Sequence, residues 1–285
     1  MLALVRVLGA LLGILAGSVL RIRRAHVEGA MRAAGVLEPA RQARGMYASL
    51  GASVFEFLWM AVRGTRALEH VAIERESMSR WHEAMGEGRG VVVAASHTGN
   101  WDLAACAMAR RGELLVVTKR LSIGWLDRFW QATRAAFGVQ LTDAAGALKR
   151  SRHVLRQGGA VAMMIDQVPS SPRHALPVEF LGRPALADRA PAVLAASTGA
   201  PLVVAASRRD AHGRHWLHVL EVLVPPPRPS RAWIDQATRR ATLELDRFVR
   251  TYPSQWLWMH RRWKPMLAAP CPTPSSSPAA ASTAA

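Results

Sequence analysis

The sequence predicts an α/β domain: a mostly parallel central sheet flanked by helices, with an apolar helical segment in front of it. Three observations carry this reading. From Val91 onward, short apolar runs alternate with helix-length stretches, the order that builds parallel sheets. Gly138, Gly158 and Gly199 close the helical stretches, where a glycine ends a helix at no steric cost. The chain has 285 residues, half of them hydrophobic, and no internal repeat, which suits one large core better than an array.

Taken in order, residues 1–20 carry a single charge, Arg6. The uncharged residues 7–20 would cover roughly 21 Å as a helix, short of the about 30 Å of bilayer hydrocarbon; a snorkelling Arg6 extends them to marginal length. No small-x-small cleavage site follows, so a removable signal peptide is not expected. Arg21-Ile22-Arg23-Arg24 comes next and would hold the bulk of the chain on the cytoplasmic side. Gly9, Gly13 and Gly17 fall on one smooth helix face, fit either for close packing in a membrane or for docking on the protein's own domain. Residues 25–90 read as helical. Strands are expected at 91–96, 114–118, 160–165, 201–206 and 216–224, the last an added late strand. Helices are expected at 103–110, 125–137, 147–156, 191–198 and 232–250. Residues 270–285, rich in Pro, Ser and Ala, read as disordered. The division is therefore an apolar membrane-associated helix at 1–24, one α/β domain at 25–267 and a disordered tail at 268–285.

The formal net charge is +17, from 37 Lys and Arg against 20 Asp and Glu. This suits a solvated Arg-rich surface or an anionic partner: lipid headgroups, a phosphorylated substrate, an acidic carrier protein or nucleic acid. Two cysteines, Cys106 and Cys271, do not make a disulfide framework. His212, His215 and His218 are spaced by three across an expected hairpin turn at Gly213; on a strand that spacing alternates faces, so no metal site is expected. No Gly-x-Ser-x-Gly elbow and no phosphate-cradling glycine loop occurs.

The informative motif is His97-Thr98-Gly99-Asn100-Trp101-Asp102. It puts an imidazole at a strand's C-terminal end, where open α/β sheets build their sites, and a carboxylate in the next helix's first turn. A carboxylate bonded to one ring nitrogen fixes the tautomer of a His and makes the other nitrogen a better base.

Four segments together resemble one family: residues 97–102; residues 160–167, ending Asp166-Gln167; Val178-Glu179-Phe180-Leu181-Gly182-Arg183-Pro184-Ala185; and residues 252–264, which end Trp258-Met259-His260-Arg261-Arg262-Trp263-Lys264. Over roughly residues 5–265 the chain resembles the bacterial lipid A biosynthesis (late, secondary) acyltransferases, within the lysophospholipid acyltransferase superfamily. The resemblance implies a glycerolipid-acyltransferase-like fold at the cytoplasmic face of the inner membrane. It implies transfer of a fatty acyl chain from an acyl-carrier-protein or CoA thioester to a hydroxyl of a lipid A precursor or related glycolipid. His97 would be the general base and Asp102 its orienting partner, with first-turn backbone N–H groups after Asn100 holding the oxyanion. Lys119, Asp166 and Arg183 would bind substrate. A thioester is already activated, so neither metal nor cofactor is expected; partners would be the acyl carrier protein or acyl-CoA, the lipid acceptor and the membrane surface, with no nucleic acid.

The sequence departs from the family at Lys119, where an Arg is usual, at Ile123-Gly124 in place of Asn-Pro, and at Leu181 in the Phe180-Leu181-Gly182 stretch. These positions fall where the acceptor is expected, so a glycerophospholipid, aminolipid or small-molecule hydroxyl stays open, as does a non-catalytic membrane-associated homologue. Trp256, Trp258 and Trp263, interleaved with His260, Arg261 and Arg262, fit a headgroup-level belt, a base-stacking platform or a segment that covers the core.

Overall fold

The computed structural model describes residues 1–86, 88–171 and 174–263. The chain opens with α1 (Leu2–Ile14), extended by a wider turn at Leu15–Val19, then α2 (Arg24–Ala33) and α3 (Pro39–Arg63). A 3-10 segment (Gly64–His70) leads to β1 (Val71–Ile73) and α4 (Arg75–Gly86). Strict alternation follows: β2 (Val91–Ala95), α5 (Trp101–Ala109), β3 (Leu114–Val117), α6 (Gly124–Ala136), β4 (Val139–Thr142), α7 (Ala144–Arg156) and β5 (Ala160–Met164). A hairpin of β6 (Ala175–Phe180) and β7 (Arg183–Asp188) precedes α8 (Ala190–Thr198), β8 (Leu202–Arg209), β9 (His215–Leu223) and α9 (Arg231–Thr251).

Seven strands form one sheet in the order β1-β9-β8-β2-β5-β3-β4. The five from β8 to β4 are parallel, and β9 turns back antiparallel to β8. This is the expected α/β architecture, including the added late strand. Val91, Val92, Val93 and Ala94 of β2 are all buried, as befits a strand covered on both faces. α5, α7 and α9 start where side chains accept from first-turn amides: Asn100 from Leu103 N at 3.2 Å, Asp143 from Gly146 N at 3.0 Å and Ser230 from Trp233 N at 3.2 Å.

Some strands depart from the expected pattern. The all-helical reading of 25–90 misses β1, a short strand held by parallel pairing with β9. β4 and the β6–β7 hairpin are likewise defined by their partners, which strand-length sequence windows do not reveal. The tail expected at 268–285, with Cys271, and Lys264 lie outside the described residues.

The glycine face of α1 docks on α3. A Cβ at Gly9 would stand 2.5 Å from the Gly51 carbonyl, and one at Gly13 would stand 2.0 Å from that of Tyr47, so the two backbones touch where side chains would keep them apart. The pair is antiparallel: Arg63 Nη2 lies 2.9 Å from Met1 Sδ, while Gly17 meets the Tyr47 ring. Leu4, Leu8, Leu11 and Leu15 line the exposed outer side. Among the described residues two helical stretches, Leu2–Val19 and Pro39–His70, are long and apolar enough to cross a membrane, which hints at membrane association. The second gives Phe57 and Met60 to the core, both fully buried.

Candidate active site

β2 and β5 are neighbours in register, Ala95 opposite Met164, and Ile165 N bonds to Ala95 O at 2.9 Å. The two chains leave the sheet side by side, and their next residues meet. Asp166, fully buried, accepts from His97 N at 2.8 Å through Oδ2 and faces His97 Nδ1 at 2.9 Å through Oδ1. Trp256 Nε1 gives Oδ2 a second hydrogen bond at 2.9 Å. Burial alone would push this carboxyl up; the charge and hydrogen bonds of His97 prevail, and it stays ionised far below the usual range. An ionised carboxylate only accepts, so Nδ1 carries the proton and Nε2 keeps its lone pair. Burial also works against a charged His97, but the charge and hydrogen bond of Asp166 outweigh it, and the pKa rises above its ordinary 6.5.

The carboxylate hydrogen-bonded to His97 is thus Asp166 and not Asp102, to which the motif spacing points. Asp102 sits in the first turn of α5 with its side chain turned to α6. It accepts from Arg134 Nε at 2.7 Å, from Arg134 Nη2 at 2.5 Å and from Trp130 Nε1 at 3.0 Å. Its charge still bears on His97, but its hydrogen bonds tie α5 to α6. Lys119 follows β3 at the same edge of the sheet, two strands from His97, and is exposed. Arg183 stands apart on β7, its guanidinium 4.4 Å from the centre of the Trp263 ring. Of the residues singled out from the sequence, the fold joins His97 and Asp166, sets Asp102 behind them in the first turn of α5, and leaves Lys119 and Arg183 farther out.

The loop after β2 is clamped from both sides. Ser207 N bonds to Thr98 Oγ1 at 3.0 Å and Ser207 Oγ to Thr98 O at 2.6 Å. Gly99, at φ +57°, lies so close to β8 that a Cβ would stand 2.7 Å from Ser207 O. From the other side, Gly99 N bonds to Gln255 O at 2.8 Å and Leu257 N to His97 O at 3.1 Å. Trp256 and Trp258 are buried, so of the three uses open to the tryptophan segment, covering the core is the one these two serve. The segment also brings in His260, whose ring centre is 4.9 Å from that of His97. Burial first, then the charge of His97, pushes the His260 pKa down to about 4, which makes it a neutral neighbour. In the sequence His260 stands out only as part of a segment; a His so far along the chain from His97 carries no local signal of proximity. Cys106, behind Asp102, is pushed up to about 12 by burial and is no nucleophile.

An apolar cavity of about 120 Å³ runs from this loop beneath α5. Ser96 and Trp101, which come before and after the histidine in sequence, belong to its lining, and the Trp101 ring is 5.0 Å from that of His97. Ala105, Met108, Ala162 and Trp81 line it farther on. The first-turn N–H groups of Trp101 and Asp102 have no acceptor within the helix and belong to the same turn.

At the sequence level the chain is similar to proteins named as acyltransferases. Proteins named phosphatidylinositol mannoside acyltransferase, from Mycobacterium tuberculosis and from Mycolicibacterium smegmatis, are each 27% identical over 188 residues, 63% of this chain. The match spans 56% and 59% of their own lengths. The family model described as bacterial lipid A biosynthesis acyltransferase matches residues 7–265. A buried carboxylate–histidine pair at the strand ends, an apolar cavity beginning beside it and a match over nearly the whole chain lead to one placement: this protein belongs to the bacterial lipid A biosynthesis acyltransferase family.

Proposed function

We propose that this protein transfers a fatty acyl chain from a thioester, on acyl carrier protein or CoA, to a hydroxyl of a lipid A precursor or related glycolipid. His97 Nε2 takes the hydroxyl proton while the oxygen attacks the thioester carbonyl; the thiolate leaves and is protonated as the ester forms. Asp166 holds the tautomer and stabilises the imidazolium, and the Trp101 and Asp102 N–H groups receive the oxyanion. Asp102 supports this turn through Arg134. Because the thioester is activated, no metal or organic cofactor enters this scheme.

The observation that carries the reading is the apolar cavity whose lining includes Ser96, next to His97 in the chain, and Trp101, whose ring is 5.0 Å from that of His97. It suits an alkyl chain, each buried methylene contributing about 0.8 kcal/mol, with the carbonyl left beside the base. Lys119 and the positive net charge favour an anionic acceptor and an acidic carrier. The exposed leucines of α1 and the basic residues after it suit the cytoplasmic face of the inner membrane. The acceptor in the relatives' name, a phosphatidylinositol mannoside, is a glycolipid, which supports that class over a simple phospholipid.

Lipid mass spectrometry of a host with the gene, without it, and with His97→Ala tests this. One glycolipid species gaining a single acyl chain with the active gene alone is expected. An unchanged lipid profile with stable protein present would sink the proposal.

A further inference from the structure

The single charged side chain of α1 does not reach for the membrane. Arg6 Nε donates to Glu56 Oε1 at 2.8 Å, and Nη2 donates to Gly213 O at 2.8 Å. Glu56, on α3, is 1% exposed. Its other oxygen accepts from Arg209 Nη2 at 2.7 Å and from Asn100 Nδ2 at 3.0 Å, and stands 3.1 Å from His215 Nε2. Asn100 is the cap of α5, and its own oxygen takes the Leu103 amide. One carboxylate therefore joins the apolar N-terminal helix, the β8–β9 pair and the cap of the turn that follows His97. Ser53, one helical turn before Glu56, adds a contact from its hydroxyl to Gly99 O at 3.3 Å.

Burying a carboxylate costs several kcal/mol unless it is paired and hydrogen-bonded. Here the cost is met on both oxygens, and Oε1 has Arg6 as its hydrogen-bond donor. Remove Arg6, and Oε1 loses that donor in a buried site. The carboxylate then gains by turning toward Arg209 and His215, and Asn100 Nδ2 loses its shorter bond, keeping the longer one to Ser53 O at 3.3 Å. The turn carrying the Trp101 and Asp102 N–H groups is free to shift.

From this chain of contacts we infer that Glu56 is a positioning residue for acyl transfer, and that α1, through Arg6, is a working part of the reaction centre as well as a membrane contact. This rests on the acyltransferase reading above. Displacement at the oxyanion donors lowers turnover while most of the cavity lining, which lies outside this turn, stays in place, so the effect falls on kcat more than on KM.

The test uses the full chain in detergent solution, where membrane attachment is not needed, with a phosphatidylinositol mannoside as the probe acceptor, and reads free thiol released from palmitoyl-CoA. Arg6→Ala is expected to lower kcat on the order of 10- to 100-fold, with KM for palmitoyl-CoA little changed and with unaltered flotation on phosphatidylglycerol vesicles. Arg6→Lys, or added guanidinium ion with Arg6→Ala, should restore part of the rate. Glu56→Gln should also lose rate, and combining it with Arg6→Ala should add little, since both act on one network. A kcat for Arg6→Ala equal to wild type overturns the inference. So does a loss that neither Arg6→Lys nor guanidinium restores, since that marks simple unfolding. Absence of thiol release by the wild type from palmitoyl-CoA and from palmitoyl-acyl carrier protein alike would instead overturn the acyltransferase reading itself.

Discussion

Replacing Asp166 with Asn separates its role from that of Asp102. The Asp166 carboxylate accepts from His97 N and Trp256 Nε1 on Oδ2 and from His97 Nδ1 on Oδ1. An amide has one oxygen, and the two donors at Oδ2 claim it. The amide NH2 must then face Nδ1, which can no longer carry a proton. His97 is driven to the tautomer with hydrogen on Nε2, the nitrogen that has to accept. The fold keeps its shape while the base is switched off. The corresponding substitution in a serine-protease triad, which also imposes the wrong tautomer, costs about 10⁴-fold in kcat, and a loss on the order of 10³- to 10⁴-fold is expected here. Residual activity should also titrate differently. The Asp166 charge raises the His97 pKa above 6.5 against the opposing effect of burial. In the wild type, activity should fall as pH drops through that raised value; with Asn at 166, burial acts unopposed by this charge and the acid limb moves to lower pH. Steady-state thiol release over a pH series, with a melting curve for each variant, makes the measurement. An Asp166→Asn enzyme with nearly wild-type kcat and an unmoved acid limb would refute the assignment.

Asp102→Asn should be milder in kcat, about tenfold, and should lower the melting temperature, because its carboxylate holds Arg134 and Trp130 rather than His97; breaking a largely buried pair costs about 3–5 kcal/mol. Ala105→Phe should fill part of the cavity that Ala105 lines and shift donor preference to shorter chains. Each excluded methylene forfeits about 0.8 kcal/mol, so about two lost methylenes cost roughly tenfold or more in kcat/KM for long donors; an unchanged chain-length profile would place the acyl chain elsewhere. Gly13→Val should push α1 off α3, since a Cβ there meets the Tyr47 carbonyl, costing about 1–3 kcal/mol, read as a lower melting temperature and faster proteolysis near residues 20–24.

The central strands were legible because β2 and β5 are covered on both faces and therefore read as unbroken apolar runs. His97 and Asp166 were legible because each stands where such a run ends. What the sequence does not carry is which runs are neighbours. The pairing of β2 with β5 decides that Asp166, 69 residues away, reaches His97. Asp102, much closer along the chain, points elsewhere because Arg134 waits on α6. Glu56 escaped notice for a similar reason: within α3 it is one acidic residue among apolar neighbours, and its partners come from α1, β8, β9 and the loop after β2. Both points concern side-chain direction across distant elements, and periodicity within one element is silent on that.

The lacing of residues 255–257 across the histidine loop also sets a schedule. His97 lies in the first half of the chain, and the strap that holds its loop and its partner Asp166 comes late. Synthesis completes the apolar N-terminal helix and the histidine loop well before Gln255 and Trp256 exist, so that loop stays open on one side until the late strap arrives. Pairing residue 98 with residue 256 closes a very long loop, a step that waits for the rest of the sheet to assemble. His97 and Asp166 are therefore locked together late, once the C-terminal segment has folded over them.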